Sequence, residues 1–132
     1  MTAAELDEFL AGAFPHSEIQ YRVREVTPVG ITMVLASSPT HERPGGTISG
    51  PAMMSLADAA AWLATLSRIG PVALAVTSSL CIDFLRKPEL GDLEARVELL
   101  KLGRRQSVSD VRLHSATATH PVARATVTYS IP

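Results

Sequence analysis

The stretch GPAMMSLADAAAWLATLS, residues 50–67, decides the fold of this chain. It is long enough for a helix, it is apolar or small on nearly every side, and its single charge is Asp58. Such a helix belongs inside a core, where an ionised carboxylate is costly unless it is paired or used in chemistry. We therefore predict a central helix over residues 51–68. Asp58 is either a structural carboxylate satisfied by a nearby amide or hydroxyl, or a functional group.

Length and composition indicate one domain over residues 1–132. A chain of this length can form a hydrophobic core without a disulfide or a structural metal. Its 46% of hydrophobic and 19% of charged residues exclude a disordered protein. The formal net charge is −1, so no global field attracts nucleic acid or anionic lipid. We expect neither as a partner, and the apolar helix is too short to span a membrane.

The lone cysteine and the N-terminal residues bear on the compartment. Cys81 has no partner for an intrachain disulfide, which fits a reducing compartment, and its apolar neighbours favour a core thiol over a nucleophile. Residues 1–12, MTAAELDEFLAG, carry acidic residues where a secretory signal has basic ones. Both observations favour the cytoplasm.

The first part of the chain reads as a helix, two strands and a loop. An amphipathic helix is predicted over residues 3–14, within an N-terminal segment of residues 1–15. Alternating residues from Ile19 to Leu35, interrupted by a turn, predict two antiparallel strands. Residues 37–50, SSPTHERPGGTISG, predict a long loop before the central helix. A loop of this length is more often functional than not.

The second part of the chain alternates as strands do. Four long strands are predicted, at about residues 73–86, 93–102, 105–115 and 122–131. Turn signals between them favour antiparallel hairpins between consecutive strands. The alternation slips between Val108 and Val111, which predicts a bulge or an inexact boundary. One antiparallel sheet curled around one apolar helix, an α+β fold, fits this order of elements.

Three segments carry a resemblance to a known family: RPGGTISGPAMMSLADAAAWLA at 43–64, AVTSSLCIDFLRKPELGDL at 75–93 and KLGRR at 101–105. They are similar to the hotdog-fold acyl-CoA thioesterases of the phenylacetate-degradation, or PaaI-like, type. The resemblance implies a curved sheet wrapped around one long helix, and paired subunits with active sites at their interface. It implies an acyl-CoA substrate, with coenzyme A as part of the substrate and no separate cofactor. We expect a homodimer as the minimum active unit and a homotetramer as the full assembly.

The resemblance also implies roles for individual residues. Asp58 would be the general base or the nucleophile, and the Gly50 amide would polarise the thioester carbonyl. A hydroxyl of Thr77 or Ser79 would help to place water. Many members have His-Gly-Gly before the helix, whereas this chain has Ser49 followed by Gly50 and proline. Ser49 is the candidate to replace the hydrogen bond of that histidine.

The chemistry of these residues supports the same roles. Amides at a helix N-terminus suit an oxyanion, although glycines there also permit turns. Asp58 follows Gly50 by roughly 12 Å along the helix at about 1.5 Å per residue, which is far for one reacting centre and favours a site shared by two subunits. Strand alternation points Thr77 and Ser79 to one side and Ser78 to the other. Ordinary cross-strand hydrogen bonding is the alternative for these hydroxyls.

Basic residues at predicted strand ends are candidates to hold the phosphates of coenzyme A. Arg104 and Arg105 are the stronger pair, and solvated strand ends are the alternative reading of each. The candidate substrate-binding residues are Arg43, Ser49, Arg86, Lys87, Arg104 and Arg105.

Two further functions compete with thioester hydrolysis. A hotdog enoyl-CoA hydratase or dehydratase needs a histidine beside the helix carboxylate, and only His41 is placed for this. A non-catalytic acyl-CoA binding module is the third possibility. The histidines lack metal-ligand spacing, and the motifs of serine hydrolases and P-loop enzymes are absent, so we expect no metal and neither of those mechanisms.

Overall fold

The central helix, α2, spans Gly50–Ile69 in the computed structural model, which describes residues 1–15, 20–116 and 118–132. Ser49 caps its start, because the Ser49 hydroxyl accepts a hydrogen bond from the Ala52 amide at 3.2 Å. Gly70, at a positive φ of 91°, ends it. The prediction of a central helix is confirmed, with one more residue at each end.

Six strands form one antiparallel sheet. The long strands are β1 Tyr21–Val26, β2 Gly30–Leu35, β5 Val76–Phe84, β6 Leu93–Leu102, β7 Gln106–Ser115 and β8 Ala123–Ser130. They lie in the order β1-β2-β6-β7-β8-β5. Between β2 and α2, the predicted loop contains a short 3₁₀ turn and a separate hairpin of two strands, β3 Glu42–Arg43 and β4 Thr47–Ile48. The α+β prediction of one sheet against one helix is confirmed.

The N-terminal helix, α1, spans Ala3–Ala13. Its capping box is complete: the Thr2 hydroxyl accepts from the Glu5 amide, and the Glu5 carboxylate accepts from the Thr2 amide. Buried Leu6 and Leu10 anchor α1. The start predicted for the first strand, Ile19, lies outside the described residues.

One predicted hairpin is wrong. β5 pairs with β8 at one edge of the sheet, and β6 pairs with β2 rather than with β5. Turn signals mark where a strand ends, but they do not determine which edge of the sheet the next strand joins. β5 is also shorter than the predicted 73–86. As an edge strand it is largely exposed in the single chain.

The bulge predicted between Val108 and Val111 is not in that strand, β7; the extra residue lies in its neighbour, β6. β6 has one extra residue between Leu99, opposite Ser109, and Lys101, opposite Val108. From Gln106 to Leu113 the alternation of β7 is unbroken, because Ser107 and Ser109 are buried on the same face as Val111. Two buried serines therefore hid the regular pattern of β7 in the sequence.

The core lies between α2 and the sheet. From α2, small and branched residues face the strands, which lets the helix approach the sheet closely: Leu56, Ala57, Ala60, Leu63 and Ala64 are fully buried. They meet inward residues of β2, β6, β7 and β8. Full burial of one such leucine contributes about 1.5–3 kcal/mol. Among the described residues, no helix combines the length and hydropathy that a membrane crossing requires.

One stripe of α2 is left uncovered by the rest of the chain. Met54 and Ser55 are exposed, and Asp58, Ala59 and Trp62 are partly exposed. These positions recur at intervals of three and four residues and therefore share one face of the helix. The expectation of a helix buried on every side is wrong for the single chain. Asp58 consequently lies at the margin of the core rather than within it.

The expectation of a core thiol is also wrong. Cys81 is exposed. Its neighbour Ile82 lies opposite the buried Ala125, so Cys81 points to the other face of the sheet. The apolar neighbours of Cys81, Leu80 and Ile82, belong to the inner face of an edge strand, opposite the buried Val127 and Ala125.

Candidate active site

The carboxylate of Asp58 is held by two hydroxyl groups. Thr77 Oγ1 donates to Asp58 Oδ1 at 2.6 Å, and the Tyr129 hydroxyl donates to the same oxygen at 2.7 Å. The Tyr129 hydroxyl also lies 3.1 Å from the main-chain oxygen of Asp58. Hydrogen bonds to an ionised acceptor are among the stronger ones in proteins. One carboxylate oxygen is therefore fixed, and Oδ2 remains to accept a proton or to attack.

A bulge at Ser78 selects which strand hydroxyl reaches Asp58. Thr77 lies opposite Tyr129, whereas Ser79 lies opposite Thr128, so Ser78 is the extra residue. Thr77 therefore shares the inner face with the buried Tyr129, and Ser79 points to the outer face. The prediction that Thr77 and Ser79 share one side is wrong. The structure brings Thr77 to Asp58 and leaves Ser79 away from it.

Tyr129 was not among the predicted site residues. In the sequence it continues the apolar face of β8 and resembles an ordinary core aromatic residue. The available signal was that a buried tyrosine hydroxyl needs a hydrogen-bond partner. Burial, followed by the hydrogen bond to Asp58 and its charge, raises the pKa of Tyr129 above its ordinary value, although Thr77 acts in the opposite direction. Tyr129 therefore remains a protonated donor to the carboxylate.

Asp58 borders a cavity of about 590 Å³ with apolar walls. Asp58, Thr77 and Tyr129 contribute its polar groups together with Ser55 and the Tyr21 hydroxyl. Burial, and next the charge of Asp58, raises the pKa of Tyr21. The apolar wall includes Leu10, Ala13, Phe14, Ala59, Trp62 and Val76.

The N-terminal helix and the residue that follows it complete this wall. The Trp62 ring makes edge contacts with Phe9, at 5.6 Å between ring centroids, and with Phe14, at 6.0 Å. Such edge-to-face pairs contribute about 0.5–1.5 kcal/mol beyond the area they bury. The α1 segment therefore positions the indole that borders Asp58.

Gly50 borders a second cavity, of about 810 Å³, at the start of α2. The Ala52 amide is bound to the Ser49 hydroxyl, and the Met53 amide to the Ser49 carbonyl. Pro51 has no amide hydrogen. The Gly50 amide is thus the first-turn donor that has no acceptor within the helix, and it suits a developing oxyanion.

The backbone does not require glycine at position 50. Gly45 and Gly46 have positive φ values of 102° and 69°, as turns demand, but Gly50 is helical. A Cβ at Gly50 would meet the Phe84 ring at 3.5 Å, an ordinary contact. The interpretation of Gly50 as a turn glycine is not supported.

The predicted basic residues divide into two groups. Arg43, Arg86 and Lys87 line the Gly50 cavity. Arg86 also donates to the Pro121 carbonyl at 2.8 Å. Arg104 and Arg105 lie in the turn between β6 and β7 and line neither the Gly50 cavity nor the Asp58 cavity. Within one chain, the pair preferred from the sequence is not brought to the site.

The helix start and the carboxylate do not meet within one chain. Gly50 and Asp58 line separate cavities, and no lining residue is common to both. Both residues are fixed on one rigid helix, roughly 12 Å apart at about 1.5 Å per residue. One chain therefore supplies an amide donor at one place and a held carboxylate at another.

His41 is engaged elsewhere. Its Nδ1 accepts from the Ser38 amide at 2.9 Å, and its carbonyl accepts from the Ser49 amide at 2.8 Å. It lines neither of the two cavities. Across residues 1–15, 20–116 and 118–132, no three His, Cys, Asp or Glu side chains gather as metal ligands would.

Comparison with known proteins identifies the family. The thioesterase superfamily model matches residues 45–121. A candidate thioesterase of known structure from a Silicibacter species is 44% identical, over 98% of this chain and 91% of that one, with a TM-score of 0.90. No curated protein gives a significant match.

Two further structures are similar. A variant of the phenylacetic acid degradation protein PaaI from Thermus thermophilus is 29% identical over 86% of this chain and 95% of that one, with a TM-score of 0.73. Zebrafish thioesterase superfamily member 2 is 17% identical over 100% of this chain and 99% of that one, with a TM-score of 0.85, and shows the shared fold alone. The predicted hotdog fold is thus confirmed, and the PaaI protein is among the structures that this chain resembles. The chain belongs to the thioesterase superfamily.

Proposed function

We propose that this protein hydrolyses an acyl-CoA thioester to the free acid and coenzyme A, with Asp58 as the reacting carboxylate. The observation that carries the proposal is the held Asp58 carboxylate at the border of an apolar cavity. Membership of the thioesterase superfamily supports hydrolysis of a thioester. The likeness to PaaI makes an aromatic acyl group one class to test, beside short and medium aliphatic groups.

The chemistry needs only water and the groups of the protein. Asp58 Oδ2 takes a proton from water as the water oxygen attacks the thioester carbonyl. The carbonyl oxygen becomes negative and accepts a hydrogen bond from the Gly50 amide. The tetrahedral intermediate then breaks its carbon–sulfur bond, and the coenzyme A thiolate leaves with the proton that Asp58 holds. Direct attack by Asp58 Oδ2, followed by hydrolysis of an anhydride, is the alternative order.

In the proposal, the complete site is formed by two subunits, each of which contributes one part. Gly50 of one subunit meets Asp58 of the other, because one chain keeps them apart. The acyl group then lies in the Asp58 cavity, and the coenzyme A phosphates lie near Arg43 and Lys87. The uncovered stripe of α2, with Met54 at 41% exposure, gives the partner an apolar surface. A homodimer is the minimum unit, and a homotetramer is the full assembly.

The proposed reaction is placed in the cytoplasm, consistent with a lone cysteine.

Of the alternative functions, a hydratase lacks support because His41 borders neither cavity. A binding module that retains intact acyl-CoA differs from a thioesterase only in turnover, so the decisive experiment measures product.

The test is release of free thiol from a panel of aromatic, short and medium acyl-CoAs by the wild type and Asp58→Asn. Asparagine keeps an oxygen that accepts from Thr77 and Tyr129, so the fold is retained while the base is lost. We expect turnover to fall by about 10²–10⁴-fold. The matched control is Asp83→Asn, an exposed carboxylate on the same sheet edge, which should leave turnover unchanged. Unchanged turnover in Asp58→Asn, or tight binding of acyl-CoA without product, would contradict the proposal.

A further inference from the structure

The orientation of the Asp58 carboxylate depends on a side chain from the far end of the chain. Within the described residues, both hydroxyl donors to this carboxylate act on Oδ1, Thr77 from β5 and Tyr129 from β8. The same Tyr129 hydroxyl lies 3.1 Å from the main-chain oxygen of Asp58. Tyr129 therefore ties both the side chain and the backbone of this helical residue to the sheet.

Tyr129 is itself fixed on both sides. β8 is an inner strand, and Tyr129 lies opposite Thr77 in β5 and opposite Ser107 in β7. The Ser107 hydroxyl is within 2.8 Å of the Thr65 hydroxyl of α2, which holds the same helix to the next strand. Tyr129 is 5% exposed. Its hydroxyl is therefore held in one position, from which it orients the Asp58 carboxylate on the uncovered stripe of α2.

A carboxylate at that stripe would otherwise rotate. Its two oxygens exchange by rotation of the terminal torsion, which is soft for aspartate. With Oδ1 occupied by two donors, rotation would break both hydrogen bonds. Holding reacting groups in one geometry contributes to rate, because small displacements at a reacting centre cost about 10²-fold.

We propose, on the basis of the function proposed above, that Tyr129 is a positioning residue for Asp58: together with Thr77 it occupies Oδ1 and reserves Oδ2 for the reaction. Its effect reaches the chemistry through the orientation of Asp58.

The test is Tyr129→Phe, which removes one oxygen atom and keeps the ring. We expect kcat to fall by about 10–100-fold, as for other residues that orient a reacting group, with little change in KM. A tyrosine that only stabilises the fold would not separate kcat from KM in this way.

The control is Thr128→Val, the adjacent residue on the outer face of β8, which should leave kcat and KM unchanged. If Tyr129→Phe does not fold, 3-fluorotyrosine at position 129 keeps the shape and alters the strength of the donor, and it should change kcat while KM stays the same.

The outcomes separate this inference from the proposed function. An active wild type, an inactive Asp58→Asn and a Tyr129→Phe variant with unchanged kcat would overturn the role of Tyr129 alone. A fall in kcat accompanied by a comparable rise in KM and a lower unfolding midpoint would show a merely structural tyrosine and would also overturn it. Failure of the wild type to turn over any acyl-CoA would contradict the proposed function instead.

Discussion

Gly50 and Asp58 lie on the same rigid helix, yet each borders a cavity that the other does not reach. Gly50 stands at the start of α2, where the first-turn amides point out of the helix. Asp58 stands farther along, on the stripe that the chain leaves uncovered. An amide that receives an oxyanion and a carboxylate that activates water must meet at one carbon atom. We therefore propose that the two halves of the site come from different subunits.

The Gly50 amide is tested by Gly50→Pro, which removes the donor. Proline suits the first helical position, and the preceding Ser49 is already extended at ψ 152°, as a residue before proline prefers. We expect kcat to fall by about 10²–10³-fold, the usual cost of one oxyanion donor. Gly50→Ala keeps the amide and adds only an ordinary contact with Phe84, so its loss should be far smaller. Equal activity of the two variants would exclude this role.

The two strand hydroxyls are separated by Thr77→Val and Ser79→Ala. Thr77→Val removes a donor to Asp58 and should lower kcat by about tenfold or more, since hydrogen bonds to charged groups are worth about 1.5–3 kcal/mol. Thr77→Ser, which keeps the hydroxyl, should recover most of the loss. Ser79 points to the outer face, so Ser79→Ala should resemble the wild type. The measurement is steady-state kinetics. A larger loss of kcat in Ser79→Ala than in Thr77→Val would contradict the assignment of Thr77 as the donor to Asp58.

The phosphate contacts are tested at Arg43 and Lys87, which border the Gly50 cavity. Replacing either with alanine should raise KM for acyl-CoA by about tenfold with little change in kcat, because a charge-assisted hydrogen bond to phosphate is lost. With an acyl thioester of a short thiol that lacks phosphates, the same variants should match the wild type. Arg112→Ala, on the outer face of the sheet beside Asp110, is the control. An equal effect on both thioesters would argue against phosphate binding.

Acid sensitivity of the fold is predicted at His114. Burial first, and then the positive charge of Arg96, lowers the pKa of His114 from its ordinary value of about 6.5. Below about pH 6.5 the unfolded chain therefore binds more protons than the folded chain, and the free energy of unfolding falls as the pH falls. Urea unfolding is measured at about pH 7.5 and about pH 5.5. The decrease in the free energy of unfolding between these two pH values should be smaller for His114→Gln than for the wild type. The exposed His120→Gln should behave as the wild type, and identical losses in all three proteins would refute the prediction.

The sequence predicts the structural features that depend on residues close together in the chain. The bounds of α2 and of β6 to β8 depend on neighbouring residues along the chain, and the predicted ranges agree with the structure to within one residue at each end. The position of β5 beside β8 depends on pairing across the sheet, which alternation does not encode.

The same difference between local features and features that depend on contacts across the sheet holds for the candidate site. Asp58, Gly50 and Thr77 stand out in the sequence because each is a polar or unusually small residue in an apolar setting. Tyr129 fits its apolar strand and becomes visible only when its hydroxyl is seen beside Asp58. The bulge that turns Ser79 outward adds one residue to β5, and nothing in the run of three hydroxyl residues marks which of them it is.

The most direct test of the shared site mixes two inactive variants. Equal amounts of the Asp58→Asn and Gly50→Pro variants are mixed, unfolded and refolded together. Acyl-CoA hydrolysis by the refolded mixture is then measured. A mixed dimer has one site with an intact Gly50 amide and an intact Asp58, and one site with neither. We expect recovery of about one quarter of the wild-type rate, because about half of the dimers are mixed and each has one intact site of two. No recovery above the two parent variants, with mixed dimers shown to be present, would contradict it.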